Sequence, residues 1–205
     1  KKLFRANTVG KTVSRDMEYT ARTELDYQSE KFAISAGYTN RKFGDLFGGD
    51  TTGRQSPSGY TEQAFDVKMK FRIGKQTTLT ASHQYVKQKQ VPLYHKVKLE
   101  NFAYYFFSPQ ERKMSYLKLE TKTSQPLLSS VNFILSAQES IEKREYYKQA
   151  NANRFTEEDR VKTIGATVDI TSVPGTHWQA NSGIEYYYDK VNSVKWQIPI
   201  ATSPG

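Results

Sequence analysis

From Phe65 to Ile73 apolar and charged residues alternate without exception. Phe65, Val67, Met69, Phe71 and Ile73 take one parity, and Asp66, Lys68, Lys70 and Arg72 the other. Side chains alternate across a strand, so a strand over Glu62–Ile73 has, from Phe65 on, one wholly apolar and one wholly charged face. Gly74-Lys75 follows as a two-residue turn, and a second strand runs from Gln76 to about Val91. In a soluble sandwich the apolar face is core and the charged face meets water. In a membrane barrel the apolar face meets lipid and the charged face lines the lumen. Membrane strands need about 9–11 residues against about 5–6 for soluble ones, which leans toward the barrel.

The rest of the chain repeats the pattern. Strands are expected over Thr20–Gln28, Phe32–Arg41, Gln110–Lys122, Val131 to about Arg144, Val161–Thr171 and Trp178–Asp189, with a weakly alternating stretch at Phe4–Val13. In the expected strand from Val131, Ile134 interrupts the polar face, and after Lys190 no period is visible. About eight long antiparallel strands result. The joints at Ser29–Lys31, Gly74-Lys75, Thr123–Ser130 and Ser172–His177 are short, while Lys42–Tyr60, Pro92–Pro109 and Glu145–Arg160 read as long loops. Sorting loop length by side is the habit of outer-membrane barrels. On the apolar face Tyr27, Phe32, Phe71 and Trp178 lie near the short turns and Tyr38, Tyr85 and Tyr186 toward the other end, two aromatic girdles around an aliphatic band. His83 is the discord, a histidine on the outward face. The expected fold is all-β, an antiparallel up-and-down meander forming a partial transmembrane β-barrel.

Composition narrows function further. The 205 residues, undivided by any Pro/Gly/Ser-rich linker, read as a single unit, residues 1–205. Mean hydropathy is −0.73 and no run of about 18 apolar residues exists, which excludes transmembrane helices but not membrane strands. The formal charge of +9 is spread over one face of successive strands, a layout that favours anionic lipid or a small anionic ligand over nucleic acid. With no cysteine there is no thiolate chemistry, and Lys1-Lys2-Leu3-Phe4 is not followed by a signal-peptide core, so an outer-membrane assignment implies a longer precursor.

Several stretches resemble the early barrel strands of TonB-dependent outer-membrane receptors. They are Asn40-Arg41-Lys42-Phe43-Gly44-Asp45-Leu46, Asp66 to Arg72, His83 to Gln88 with Val91-Pro92-Leu93-Tyr94, Pro109 to Arg112, and Gly183 to Tyr186 with Asp189-Lys190-Val191. The resemblance implies a 22-stranded barrel around an N-terminal plug, importing an iron-siderophore, haem or another scarce nutrient across the outer membrane of a Gram-negative bacterium. It implies three partners, the bilayer, a plug domain of the same parent chain and TonB acting through that plug. The chain would then hold an early portion of the barrel, without the plug or the remaining strands. Within the family the early strands look closest to haem-type receptors.

No catalytic constellation is present, and neither an enzyme activity nor a resident cofactor or metal is expected. His83, His95 and His177 have no ligand spacing with one another. Gly48–Gly53 mimics a phosphate-binding loop but lacks its Lys and Ser/Thr and a following helix. Glu157-Glu158-Asp159 is either a cation corner or a solvated acidic stretch beside Arg154 and Arg160. The candidate ligand-contacting residues are placed in loops: His95, Tyr104, Tyr105, Arg54, Tyr146 and Tyr147. The run Phe102–Phe107 either stacks on a planar ligand or packs its own loop. Arg22, Arg41, Lys68, Lys70, Arg72 and Lys118 among Glu24, Asp26, Asp66 and Glu120 read chiefly as a plug-facing wall. Two other readings stand beside the receptor: a soluble all-β binding module for carbohydrate or an acidic partner, and a complete eight-stranded barrel.

Overall fold

A computed structural model describes residues 2–200. Nine long strands form one antiparallel meander: β1 (Leu3–Val13), β2 (Glu18–Gln28), β3 (Phe32–Phe43), β6 (Tyr60–Arg72), β7 (Thr77–Lys89), β9 (Phe102–Lys122), β10 (Ser130–Lys148), β11 (Asn153–Gly175) and β12 (Trp178–Pro199). Short β4 (Leu46–Phe47) and β5 (Arg54–Gln55) pair within one connection, and β8 (Val91–Pro92) lies along β9. Helix α1 (Tyr94–Leu99) is a six-residue piece between β8 and β9.

The register keeps each parity on one face across the whole sheet. Leu25, Ala36, Val67, His83, Ser115, Ala137, Ile164 and Tyr188 form one outward row; Tyr27, Ile34, Met69, Ala81, Leu117, Leu135, Ala166 and Tyr186 form the next. None of the described residues forms a layer over these rows. Among the described residues no apolar side chain is buried, whereas Leu117 is 49% and Ile164 62% exposed. The residues most shielded are polar, Thr39 (2%), Glu62 (7%) and Thr167 (8%), all of the opposite parity. Burial deepest on the polar face marks it as the concave side, an inversion of a water-soluble core.

The strands are also staggered. The row of Phe71, Leu79, Leu119, Phe133, Val168 and Ile184 meets the strand end in β6, which finishes at Arg72. In β11 the same row lies seven residues from the end (168 to 175), and in β12 six (178 to 184). Closing a sheet into a barrel requires such a shear. With nine long strands, β1 and β12 run in the same direction, so the antiparallel ladder does not close on itself. This departs from the eight-stranded closed barrel.

The inner face is laced by ion pairs. Arg22 reaches over β3 to Asp66 (Nη1–Oδ1 2.8 Å, Nη2–Oδ2 3.2 Å) and donates to Thr39 Oγ1 at 2.9 Å. It crosses above Gly37, where any Cβ would run into the guanidinium. Arg41 pairs with Glu62, which also accepts from Gln88 at 2.7 Å. The residues expected to line a lumen do share one face.

Four boundaries differ from the sequence reading. The weak Phe4–Val13 stretch is a full strand, held by eleven paired positions with β2. Pro92–Pro109 is not a long loop, because β9 begins at Phe102; its aromatics pair with the top of β10, and Ser108-Pro109 sits in a bulge, where a missing N–H costs no ladder bond. Glu145–Arg160 is not a loop either: β10 continues to Lys148 and β11 starts at Asn153. The region after Lys190, without visible period, is strand to Pro199, zipped to β11. One end of the sheet thus rises well beyond its apolar band.

Candidate functional site

That tall end carries the densest aromatic and charged cluster. On the inner face Tyr105, Tyr146 and Phe155 stand side by side on β9, β10 and β11, in register. Tyr105 stacks on Tyr146 with centroids 5.0 Å apart and planes at 11°, and Tyr146 on Phe155 at 5.3 Å and 17°. Phe102 caps the stack edge-on, 5.3 Å from Tyr105 and 6.0 Å from Tyr146.

A charged cluster adjoins the rings. Glu157 accepts from Tyr146 Oη and Lys195 Nζ, each at 2.8 Å, and lies 2.6 Å from Arg144 Nε. The Arg144 Nε–H finds no acceptor in hydrogen-bonding alignment despite that proximity. Arg144 Nη2 also contacts Asp159 at 3.3 Å. Lys195 stands over Phe155, 5.1 Å from the ring centroid, and Lys96 and Lys148 over Phe102 at 5.9 and 5.6 Å. Such a wall can stack on a conjugated plane and pair with an anion.

Of the candidates, the structure brings Tyr105 and Tyr146 together and places them in strands, not loops. Tyr104 and Tyr147 also pair, at 6.1 Å, but on the outward face. His95 is exposed on α1. Arg54 lies apart in the connection 44–59. Phe155, Arg144 and Lys195 escape a sequence reading, and Glu157 is seen only as part of an acidic stretch, because they fall where the alternation vanishes. Glu157 to Asp159 is not a cation corner but part of the ion-paired ladder. Among the described residues no three His, Asp or Glu are grouped to hold a metal.

The connection 44–59 is built around Asp45. Its Oδ1 accepts from the Ser58 and Gly59 amides at 2.8 and 3.1 Å, and its Oδ2 from Arg54 Nε at 2.9 Å. Phe47 lies between Arg15 and Arg54, with centroid distances of 5.0 and 5.9 Å. The Ser58 amide, above all, holds the Asp45 carboxyl down from its ordinary 3.8 to about 2. A depressed carboxylate stabilises above its ordinary value and ceases to do so as pH falls toward its folded one. Protection of the Ser58 and Gly59 amides from exchange is therefore expected to be the same at pH 7 and pH 5 and to fall only toward pH 2. Asp45→Ala should remove it at every pH, by about 1 kcal/mol for each lost hydrogen bond. Unchanged protection in the variant would contradict the role given to Asp45.

An all-β meander, staggered, apolar outside and ion-paired inside, is the wall of a transmembrane-type barrel. Comparison with solved structures agrees: the copper transporter OprC superposes with a TM-score of 0.77 over 95% of this chain, at 10% identity. The likeness is therefore one of fold, and the chain spans 29% of that protein's length. No protein-family model matches the sequence, and no curated protein does.

Proposed function

We propose that this chain is a stretch of the barrel wall of a TonB-dependent outer-membrane receptor importing a scarce nutrient. The observation that carries the reading is the inverted burial: an exposed apolar band several rows deep, with only polar residues and two glycines shielded. The no-core arrangement is unfavourable in water and natural in lipid. No helix of the described residues is long and apolar enough to cross a membrane, which leaves strands as the spanning elements. The parallel orientation of β1 and β12 calls for further strands to complete the ladder, and the Arg22–Asp66 and Arg41–Glu62 ladder offers a polar wall to a plug, through which TonB would act. The Tyr105–Tyr146–Phe155 stack suits a planar nutrient, haem or an aromatic iron chelate, better than a bare metal ion. The soluble binding module would need a second layer over the outward face, and none of the described residues supplies it.

The test is extraction. The protein is expected in the outer-membrane fraction, to leave it only with detergent, and to aggregate when detergent is removed. A monodisperse, cooperatively folded monomer in plain buffer would overturn the assignment.

A further inference from the structure

We propose that the outward face of β7, β9, β10 and β11 holds one anionic phospholipid-type molecule, its acyl chain in a recess and its phosphate on a ring of cations. This rests on the membrane-barrel reading above and adds a defined lipid site to it. The recess, of about 430 Å³, exists because Ala81, Ser115 and Ala137 are small while Met69, Leu117 and Leu135 around them are large. A gap in an otherwise bulky apolar surface takes a flexible chain more closely than flat lipid packing does.

At its upper end the recess changes character in two steps. First, His83 Nδ1 and Ser115 Oγ are hydrogen-bonded at 2.8 Å, a polar pair in an apolar row, at the level where a lipid's ester and glycerol oxygens would need partners. This gives the discordant outward histidine a role. Second, one row higher on the same face, the surface becomes basic. Lys113 and Lys162 share the carboxylate of Glu139, at 3.3 and 3.6 Å, and Arg160 lies between that carboxylate, at 3.7 Å, and Glu158, at 3.4 Å. Lys190 stands directly opposite Lys162, a like-charge pair that destabilises a sheet unless an anion comes between. Lys113, Arg160, Lys162 and Lys190 against the carboxylates of Glu139 and Glu158 leave a local excess of positive charge at headgroup height, and cations, a polar step and an apolar recess match phosphate, glycerol ester and acyl chain in order. The charge excludes a zwitterionic lipid as the preferred occupant.

The experiment uses the membrane-extracted protein in nanodiscs of dimyristoyl phosphatidylglycerol and dimyristoyl phosphatidylcholine in equal parts, released gently for native mass spectrometry. Phosphatidylglycerol is expected to stay bound while phosphatidylcholine is stripped. Lys113→Gln and Lys162→Gln should lower its retention about fivefold for each cation removed. Ala137→Leu, which fills the recess without touching charge, should lower it as well. Equal retention of the two lipids, or retention unchanged in both the charge and the filling variants, overturns the site while leaving the barrel intact. Failure to enter nanodiscs of any composition overturns the barrel reading and the lipid site with it.

Discussion

An arginine at Leu117 is expected to cost about 2–4 kcal/mol of folding free energy in a bilayer, the penalty for a cation at the mid-depth of a barrel's lipid face. Leu117 faces outward in the middle of the β9 apolar stretch, between Leu119 and Ser115, paired with Ala81 and Leu135. Met114 is on the same strand with the opposite parity and faces the lumen. Met114→Arg should therefore cost less than about 1 kcal/mol, since lumen positions meet water and polar side chains. The contrast within one strand is the diagnostic. Leu117 is already 49% exposed, so on a sheet lying in water Leu117→Arg would be almost neutral. Urea titration of the two variants folded into vesicles measures both. Equal costs would remove the lipid from the account of this face.

Legibility followed the solvent contrast. Where one face meets lipid and the other water, the sequence alternates, and Phe65 to Ile73 or Phe32 to Tyr38 can be assigned to faces by inspection; the pairing of Phe32 with Phe71 and Tyr38 with Phe65 confirms them. Where the sheet rises beyond the apolar band both faces are wet, and Arg144, Glu145, Tyr146 and Tyr147 carry no period to read. Their strand character comes from pairing with β11, a non-local fact. Pro109 misled in another way: it reads as a strand terminator, but the bulge between Gln110 and Phe107 absorbs it. The aromatic residues of the site were visible as Tyr105 and Tyr146. Their partner Phe155 and the charge of Lys195 were not, and Glu157 was visible only as part of an acidic stretch, because contact between them depends on three strands lying in register.

The carboxylate that ties those strands together gives the second large effect. Glu157 lies opposite Arg144 on β10 and opposite Lys195 on β12, and is 18% exposed. Glu157→Ala leaves Arg144 with Asp159 alone and Lys195 with no carboxylate, and takes from the Tyr146 hydroxyl its acceptor, leaving it only the bond from Lys195. Hydrogen bonds to charged groups are worth about 1.5–3 kcal/mol, and the 56% exposure of Lys195 argues for the lower half of that range. Amide exchange around Tyr146 and Phe155 should rise about tenfold or more, while exchange at Leu117 and Leu135 in the apolar band stays as it was. Glu157→Gln, which keeps an acceptor for Tyr146, should fall between. The same substitution also reports on the ligand. Arg144 and Lys195 balance Glu157 and Asp159, so removing Glu157 turns a neutral wall net positive. An anionic nutrient should then associate faster, with a steeper salt dependence, even as the ring stack loosens. A neutral one should only lose affinity, so the sign of the change in haem binding at low salt decides whether this wall recognises charge or only a plane.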